Sequence, residues 1–424
     1  MGKINNLLVT AFALFSLFFG VGNLILPPLL GFKSGDLWWL VALGFCISAV
    51  LIPILGILAH AKLQGTMFNF AEKVSPTFSL VYCFLVYAIS ISLPSPRTAS
   101  LTHEIAIQPF FNTSSLLTSS IYFALVFLFV MNRSKLLNIL GKILTPAIIF
   151  VLIALIGITF FSYDFIFSET TINSPFSHGI LEGYQTFDAI GAVVVGGVII
   201  VSINLKKKGA SYKEKKTLIS RAAWLAGLAL FLIYGGLILT GAMNGTNFNS
   251  DISRTALLTG ISANTLGNTA NLFLSILVSL ACFTTAVGIV TGAADFIKSR
   301  FLESQLAYTI TAVLGCILGI VMGQFNVGYI ITVAVPALMF IYPITIVLIL
   351  LNIVPKKYAA PIVFKAVILT VILFSVPDFL ASLGFNLFSK GEFFSWLPLS
   401  EFQMGWILPT LIVFVFINST KKFL

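Results

Sequence analysis

The chain has 424 residues, of which 58% are hydrophobic and 9% charged, with a mean hydropathy of +1.05 and a formal net charge of +10. That balance excludes a soluble globular domain and a disordered chain alike. Apolar runs close to the roughly 20 residues needed to cross a bilayer recur along its whole length, so the chain reads as a polytopic membrane protein.

In chain order, twelve spans are expected, at about 7–31, 37–60, 74–96, 115–131, 139–161, 184–204, 222–243, 270–297, 305–322, 326–352, 361–377 and 402–418. The connections leave no room for a soluble domain. Basic residues assigned to alternate sides of these spans fall unevenly. Of the 24, all but Lys33, Arg97, Arg254 and Lys390 lie on one side, including the run Lys206, Lys207, Lys208, Lys213, Lys215, Lys216 and Arg221. The positive-inside rule then places both termini in the cytoplasm. The same distribution argues against nucleic acid as a partner; the Lys206–Lys216 cluster reads as an orientation signal facing lipid. The first segment is too long for a cleaved signal peptide and lacks a small-residue cleavage site. Cys46, Cys83, Cys282 and Cys316 all fall inside apolar spans without paired spacing, which suits small core residues better than a disulfide or metal framework.

The first span is broken near its middle by Phe18-Phe19-Gly20-Val21-Gly22-Asn23-Leu24, followed by Pro27-Pro28. Lipid offers no partner for a free backbone group, so unwound chain at this depth must be buried in protein or line a cavity. At about 1.5 Å per residue the break lies roughly 20 Å from the start of the span, close to the bilayer midplane. The inner half-helix would end in exposed carbonyls suited to a cation, and the outer half would begin with free amides suited to a carboxylate. Together these ends match the zwitterion of an α-amino acid. The alternative is a Gly/Pro kink that serves only close helix packing.

The sixth span carries a matching disruption, Gly183-Tyr184-Gln185-Thr186-Phe187-Asp188-Ala189-Ile190-Gly191, followed by Gly196-Gly197. Interrupted spans at corresponding positions of two halves point to a transporter's binding site. Should the first ten spans divide into two halves of five, residues 1–165 and 180–352, those halves would have opposite topology, leaving two peripheral helices in 361–424. Asp188 is the carboxylate placed well within a span, and an intramembrane carboxylate is a functional candidate by default. It would bind an ion, take up a proton or orient the broken backbone, or else sit near the outer interface as an ordinary residue. In the eighth span, Ala281-Cys282-Phe283-Thr284-Thr285 sets one carbonyl and two hydroxyls close together. These hard oxygens suit Na⁺, unless the hydroxyls merely bond back to the preceding turn. Asp295 reads as a paired residue near the cytoplasmic end of that span. Arg97, in Leu93-Pro94-Ser95-Pro96-Arg97-Thr98-Ala99, is either a headgroup anchor or part of an outer-gate ion pair. His60, His103 and His178 form no catalytic set.

Residues Phe12–Pro28, together with Pro96-Arg97-Thr98-Ala99, Gly183–Asp188 and Thr284-Thr285-Ala286-Val287-Gly288, resemble the bacterial branched-chain amino acid:cation symporter family over essentially the whole chain. The resemblance implies the inverted five-helix repeat of the amino acid–polyamine–organocation superfamily, with leucine, isoleucine and valine carried inward with Na⁺ or, alternatively, H⁺. It places the substrate carboxylate on the amides of Val21 and Gly22 and its ammonium on the carbonyl of Phe18. A sodium site would combine the carbonyls of Ser16, Phe19 and Ala281 with the hydroxyls of Thr284 and Thr285. Asn23 and Thr186 are candidates for a second ion.

The full expectation is an all-α importer in the bacterial plasma membrane working by alternating access, with no enzymatic activity and no organic cofactor. Phe18, Val21, Gly22, Asn23, Phe187, Asp188 and Gly191 surround the substrate, Na⁺ is the coupling ion, and Arg97 stands at the outer gate. A proton-coupled carrier or an exchanger of other neutral or aromatic amino acids is the alternative. A channel would need charged rings in its spans and a membrane enzyme a cluster of His, Asp or Ser at one depth; the sequence has neither.

Overall fold

The computed structural model describes residues 3–20, 22–132, 136–206, 209, 211–385 and 397–420. Those residues form helices α1 (Lys3–Phe18), α2 (Gly22–Ser34), α3 (Trp38–Cys46), α4 (Ile52–Leu63), α5 (Met67–Ala71), α6 (Pro76–Ser92), α7 (Pro94–Thr102), α8 (Ser115–Met131) and α9 (Leu136–Ser162). They continue with α10 (Pro175–Tyr184), α11 (Asp188–Lys206), α12 (Tyr212–Met243), α13 (Arg254–Arg300), α14 (Gln305–Gly323), α15 (Val327–Ile353), α16 (Pro361–Ser382) and α17 (Ile407–Thr420). No strand occurs among the described residues. Seven segments among them are long and apolar enough to cross a membrane, and four shorter apolar helices accompany these. The protein is a multi-pass membrane protein.

Helix starts follow the capping chemistry written in the chain. The hydroxyls of Ser75, Ser253 and Ser304 accept from backbone amides three residues on, at 3.0, 3.2 and 3.3 Å, as does the Asn326 amide oxygen at 2.7 Å. Ser211 and Glu214 form a reciprocal capping box at the start of α12, satisfying amides that the first helical turn leaves without partners. The expected boundaries shift in two places. The sixth span does not begin at Tyr184, because α10 already occupies Pro175–Tyr184 and its chain turns at 185–187 into α11. The connection before the eighth span holds a helical stretch of its own, from Arg254 to a sharp bend at Gly267 (φ 79°), a left-handed conformation that glycine adopts without cost.

Packing partners recur in a pattern. The broken pair α1/α2 lies against α12, and the second broken pair α10/α11 lies against α3 and α4. α8 packs on α13 and α14, while α14 packs on α6 and α7; α9 packs on α12 and α13, and α15 on α4 and α7. α16 lies on α15, and α17 on α16. Two of these contacts are backbone-close. A Cβ on Gly31 would strike the Ile238 carbonyl of α12, and one on Gly241 would strike the Pro28 carbonyl of α2. Small residues at helix contacts are how membrane bundles gain dispersion contacts where lipid gives no hydrophobic drive.

The four cysteines are buried and unbridged. Lys73, Lys216 and Lys356 lie near enough to Lys62 for their charges to repel its ammonium. These four belong to connections assigned to one side in the sequence. Lys62 Nζ also donates to the carbonyls of Asn352, Ile353 and Val354 at 3.0, 3.0 and 2.5 Å, capping the C-terminus of α15. α13 runs to the same face, where Arg300 stacks over Phe68 at 4.7 Å.

Replacing Gly31 or Gly241 with leucine is expected to force α2 and α12 apart at a cost of about 1–3 kcal/mol or more. Because every cysteine is buried, heat-induced labelling by a thiol-reactive fluorophore reads the effect directly. An unchanged midpoint would show that this close contact is not part of the folded protein.

Candidate functional site

The two breaks meet. α1 ends at Phe18, and the backbone then turns tightly: Phe19 N donates to Phe15 O and Gly20 N to Phe18 O, both at 2.7 Å, before Asn23 N reaches Gly20 O at 3.2 Å. At the second break α10 ends in three successive turn bonds, Gln185 N to Glu182 O, Thr186 N to Gly183 O and Phe187 N to Tyr184 O, at 3.1, 3.2 and 3.1 Å. Phe187 has a φ of 63°, uncommon for a bulky side chain and a local strain on the backbone. The turn is pinned by the Thr186 hydroxyl, which donates to Gly183 O at 2.8 Å and accepts from Asp188 N at 3.2 Å. From α15, the Tyr342 hydroxyl accepts from Ala189 N at 3.1 Å while its ring stacks on Tyr184 at 4.3 Å.

Asn23, wholly buried at the start of α2, ties the breaks together. Its Nδ2 donates to Phe18 O at 2.7 Å and to Asp188 Oδ2 at 2.6 Å, and also meets the Tyr234 hydroxyl of α12. Two protons are thus shared among three oxygens, while Asn23 Oδ1 has no partner among the described residues. Tyr234 is held edge-on by Phe45 at 5.6 Å and stacked by Phe19 at 6.2 Å, and Phe19 in turn stacks on Phe15 at 5.2 Å.

Arg97 lies between the breaks rather than at headgroup level. It is 4% exposed, its Nη1 donates to Gln185 O at 2.9 Å, and its guanidinium carbon sits 5.4 Å from the centre of the Phe187 ring. Its fork rests on Gly22, where an added Cβ would come 2.5 Å from Nη2 and 3.0 Å from Cζ. The headgroup-anchor reading therefore fails, because the prolines flanking Arg97 start a new helix, α7, that carries it inward between α10 and α2. Arg254 instead forms an ion pair with Glu182 at 3.3 Å.

The other sequence-derived candidates divide. Phe18, Gly22, Asn23, Phe187 and Asp188 are brought into this one region. Val21 lies outside the described residues. A Cβ at Gly191, one turn into α11, would meet nothing within 4 Å. The Phe18 carbonyl, expected to face a substrate ammonium, already accepts from Gly20 N and Asn23 Nδ2. In α13 the hydroxyls of Thr284 and Thr285 both donate to Ala281 O, each at 2.9 Å, so the three oxygens converge through the back-bonding arrangement itself. Each hydroxyl that donates keeps its lone pairs for a cation. α1 lies mainly on α12, whereas α13 packs on α2, α6, α7, α8, α9 and α14. The hydrogen-bonding roles of Tyr234 and Tyr342 escaped the sequence reading. The available signal was a polar aromatic in an otherwise apolar run, Leu230-Phe231-Leu232-Ile233-Tyr234-Gly235 and Phe340-Ile341-Tyr342-Pro343, since a buried tyrosine hydroxyl usually needs a partner.

A cavity of about 1010 Å³ lies at the Arg254 end of α13, lined in part by Ser100, His103, Glu104, Thr255, Phe325 and Val327. Glu104 closes its wall by accepting from Thr255 Oγ1 at 2.6 Å and Val327 N at 2.8 Å. None of the described break residues lines it, so it is a cavity apart from the breaks.

Two facing helix breaks within a bundle of apolar helices define a solute transporter rather than an enzyme. The branched-chain amino acid transport protein family matches residues 3–424, and the chain belongs to that family. It is 31% identical over 424 residues to the branched-chain amino acid permease BraB of Bacillus subtilis, covering 96% of this chain and 94% of that protein. It is 29% identical over 422 residues to the branched-chain amino acid transport system 2 carrier protein of Pseudomonas aeruginosa, covering 97% and 94%. Among solved structures it is similar to MHP1, a nucleobase-cation-symport-1 family transporter in a closed conformation with bromovinylhydantoin bound, with a TM-score of 0.64 at 12% identity over 98% of this chain and 92% of that one. It is also similar to MhsT in complex with L-phenylalanine, with a TM-score of 0.56 at 16% identity over 99% and 98%. At such identities the likeness concerns the fold alone.

Tyr234→Phe keeps the ring packing and removes one hydroxyl, so an unfolding cost of about 1 kcal/mol is expected. Asn23→Leu strips the donor from a buried carboxyl and from the Phe18 carbonyl and should cost about 2–3 kcal/mol or more. Thermal labelling of the buried cysteines measures both, and an Asn23→Leu protein as stable as Tyr234→Phe would show that Asn23 does not bridge the breaks.

Proposed function

We propose that this protein imports branched-chain amino acids across the bacterial plasma membrane, driven by Na⁺, by alternating access at the two facing breaks. The observation that carries this reading is the Asn23–Asp188 bond at 2.6 Å, which joins two helix interruptions from separate halves of a chain in the branched-chain family. In the proposed topology both termini are cytoplasmic and the face bearing Lys62, Lys73, Lys216 and Lys356 is the inner one.

An architecture of twelve spans with two inverted five-helix halves and two peripheral helices is part of the proposal. Packing supports it: exchanging the first five spans with the next five turns the α2–α12 contact into α10–α3 and α11–α4, and the α8–α13 contact into α14–α6 and α14–α7. In this reading the substrate ammonium faces the oxygens of Phe18 and Asp188, and the carboxylate faces the amides that open α2, Gly22 among them. Phe187 and Gly191 border the pocket for the aliphatic chain. An added methylene is worth only about 1–3 kcal/mol, so leucine, isoleucine and valine should all be carried, while an unpaired buried charge excludes ionic side chains.

For the coupling ion, the Ala281 carbonyl and the hydroxyls of Thr284 and Thr285 supply one wall and the carbonyls of Ser16 and Phe19 the other. Movement of α1 toward α13 would complete the set. Cation and substrate would then favour the same closed arrangement of α1, which couples their movements.

Isoleucine uptake into proteoliposomes is expected to require an inward Na⁺ gradient and to fail with choline. Removing both hydroxyls, Thr284→Ala with Thr285→Ala, should raise the Na⁺ concentration for half-maximal uptake by about tenfold for each 1.4 kcal/mol of lost ligation. Uptake driven by a pH gradient alone would shift the coupling to protons, with Asp188 as the first residue to substitute. No uptake under either gradient would overturn the branched-chain reading.

A further inference from the structure

We propose that the Arg97 side chain, together with the first turn of α2, binds the substrate's carboxylate and makes the carrier specific for solutes that have one. The inference rests on the amino acid importer reading above and names a side-chain ligand that this reading lacks.

Four observations converge on it. Arg97 is nearly sealed from solvent, at 4% exposure, and a buried guanidinium cannot shed its proton. No ion pair joins it to a carboxylate among the described residues: Asp188 is near enough to attract the fork, but its Oδ2 accepts from Asn23. The fork's five N–H groups make a single hydrogen bond among the described residues, Nη1 to Gln185 O, and Nε is buried without a partner. Finally, the fork lies against Gly22, the first residue of α2, where a helix presents free amides and a partial positive charge.

Two positive features pressed together in a low-dielectric interior repel one another and call for an anion. Asp188 attracts the fork without a hydrogen bond to it, whereas an α-amino acid brings a carboxylate free to make one. The planar fork suits it, because guanidinium and carboxylate match in a two-point hydrogen bond. The same geometry explains glycine at position 22: any side chain there would push the fork out of the break. Phe187 covers the other face of the guanidinium as a cation–π partner at 5.4 Å, and the Gln185 carbonyl fixes its rotation. Arg97 thus touches the first break at Gly22 and the second at Gln185 and Phe187. A carboxylate bound to it is held by both halves of the molecule at once.

The purified full-length carrier in Na⁺ distinguishes this role from a structural one with a pair of ligands, leucine and leucinol, which replaces the carboxylate by CH₂OH. Wild-type protein should bind leucine far more tightly than leucinol. In Arg97→Gln, leucine affinity should fall about thirtyfold or more while leucinol affinity holds, so that the ratio between them collapses. Arg97→Lys, which keeps the charge and loses the fork, should lie between. An unchanged leucine-to-leucinol ratio in either variant would overturn the assignment. So would an equal loss of both ligands, because that is what a purely structural clamp would give. The two readings fail separately: wild-type protein that does not bind leucine overturns the branched-chain proposal and this one with it. An intact ratio in a variant that still binds leucine overturns only this one.

Discussion

The constraint on which the structure depends is that backbone groups released inside a membrane must find partners within the protein. A continuous spanning helix meets it automatically, and among the described residues this chain departs from one at residues 19–20 and again at 185–187. Each departure is stabilised by side chains from elsewhere. Asn23 takes the Phe18 carbonyl, Arg97 takes the Gln185 carbonyl, and Tyr342 receives the Ala189 amide. Because Asn23 also binds Asp188, the two breaks are partners of one another rather than separate defects. Their mutual dependence concentrates polar groups at one place in an apolar bundle.

That concentration has an electrostatic form. Asp188 is held by the Asn23 side chain, while the Arg97 fork lies against Gly22. A buried cluster holding both signs, incompletely joined to each other, suits a zwitterion better than an ion of either sign. The apolar surroundings matter as much: Phe19, Phe45 and Tyr234 pack as rings around the Asn23 hydroxyl partner, excluding water that would otherwise weaken each interaction. The Arg254–Glu182 pair and the Glu104 bonds close the wall on the cavity side, and Lys62 fastens α15 at the far end. The site lies between these two fastened ends.

Much of this was legible beforehand because it follows from local chemistry. Apolar length and basic residues gave the class, and Gly20-Val21-Gly22-Asn23 with Pro27-Pro28 marked the first break through the helix rules alone. Asp188 stood out as a carboxylate in an apolar run. The outer half of the second break was less legible. Pro175–Tyr184 includes Ser177, His178 and Glu182, and its polarity resembles a loop until α3 is seen packed against it. Arg97 was visible but misplaced, since two prolines end a helix as readily as they begin one. Tyr234 and Tyr342 gave only the faint signal of a hydroxyl in an apolar stretch.

The sequence by itself determined that the chain spans a membrane and where its first helix breaks. These are properties of short segments, set by hydrogen bonding and side-chain chemistry within a few residues. Only the tertiary structure decided which breaks face one another, that Asn23 pairs with Asp188 across 165 positions of chain, and that Arg97 points between the breaks. Such pairings depend on how helices distant in sequence pack, and a one-turn slide of α7 or α12 would leave every local rule satisfied while dissolving the site.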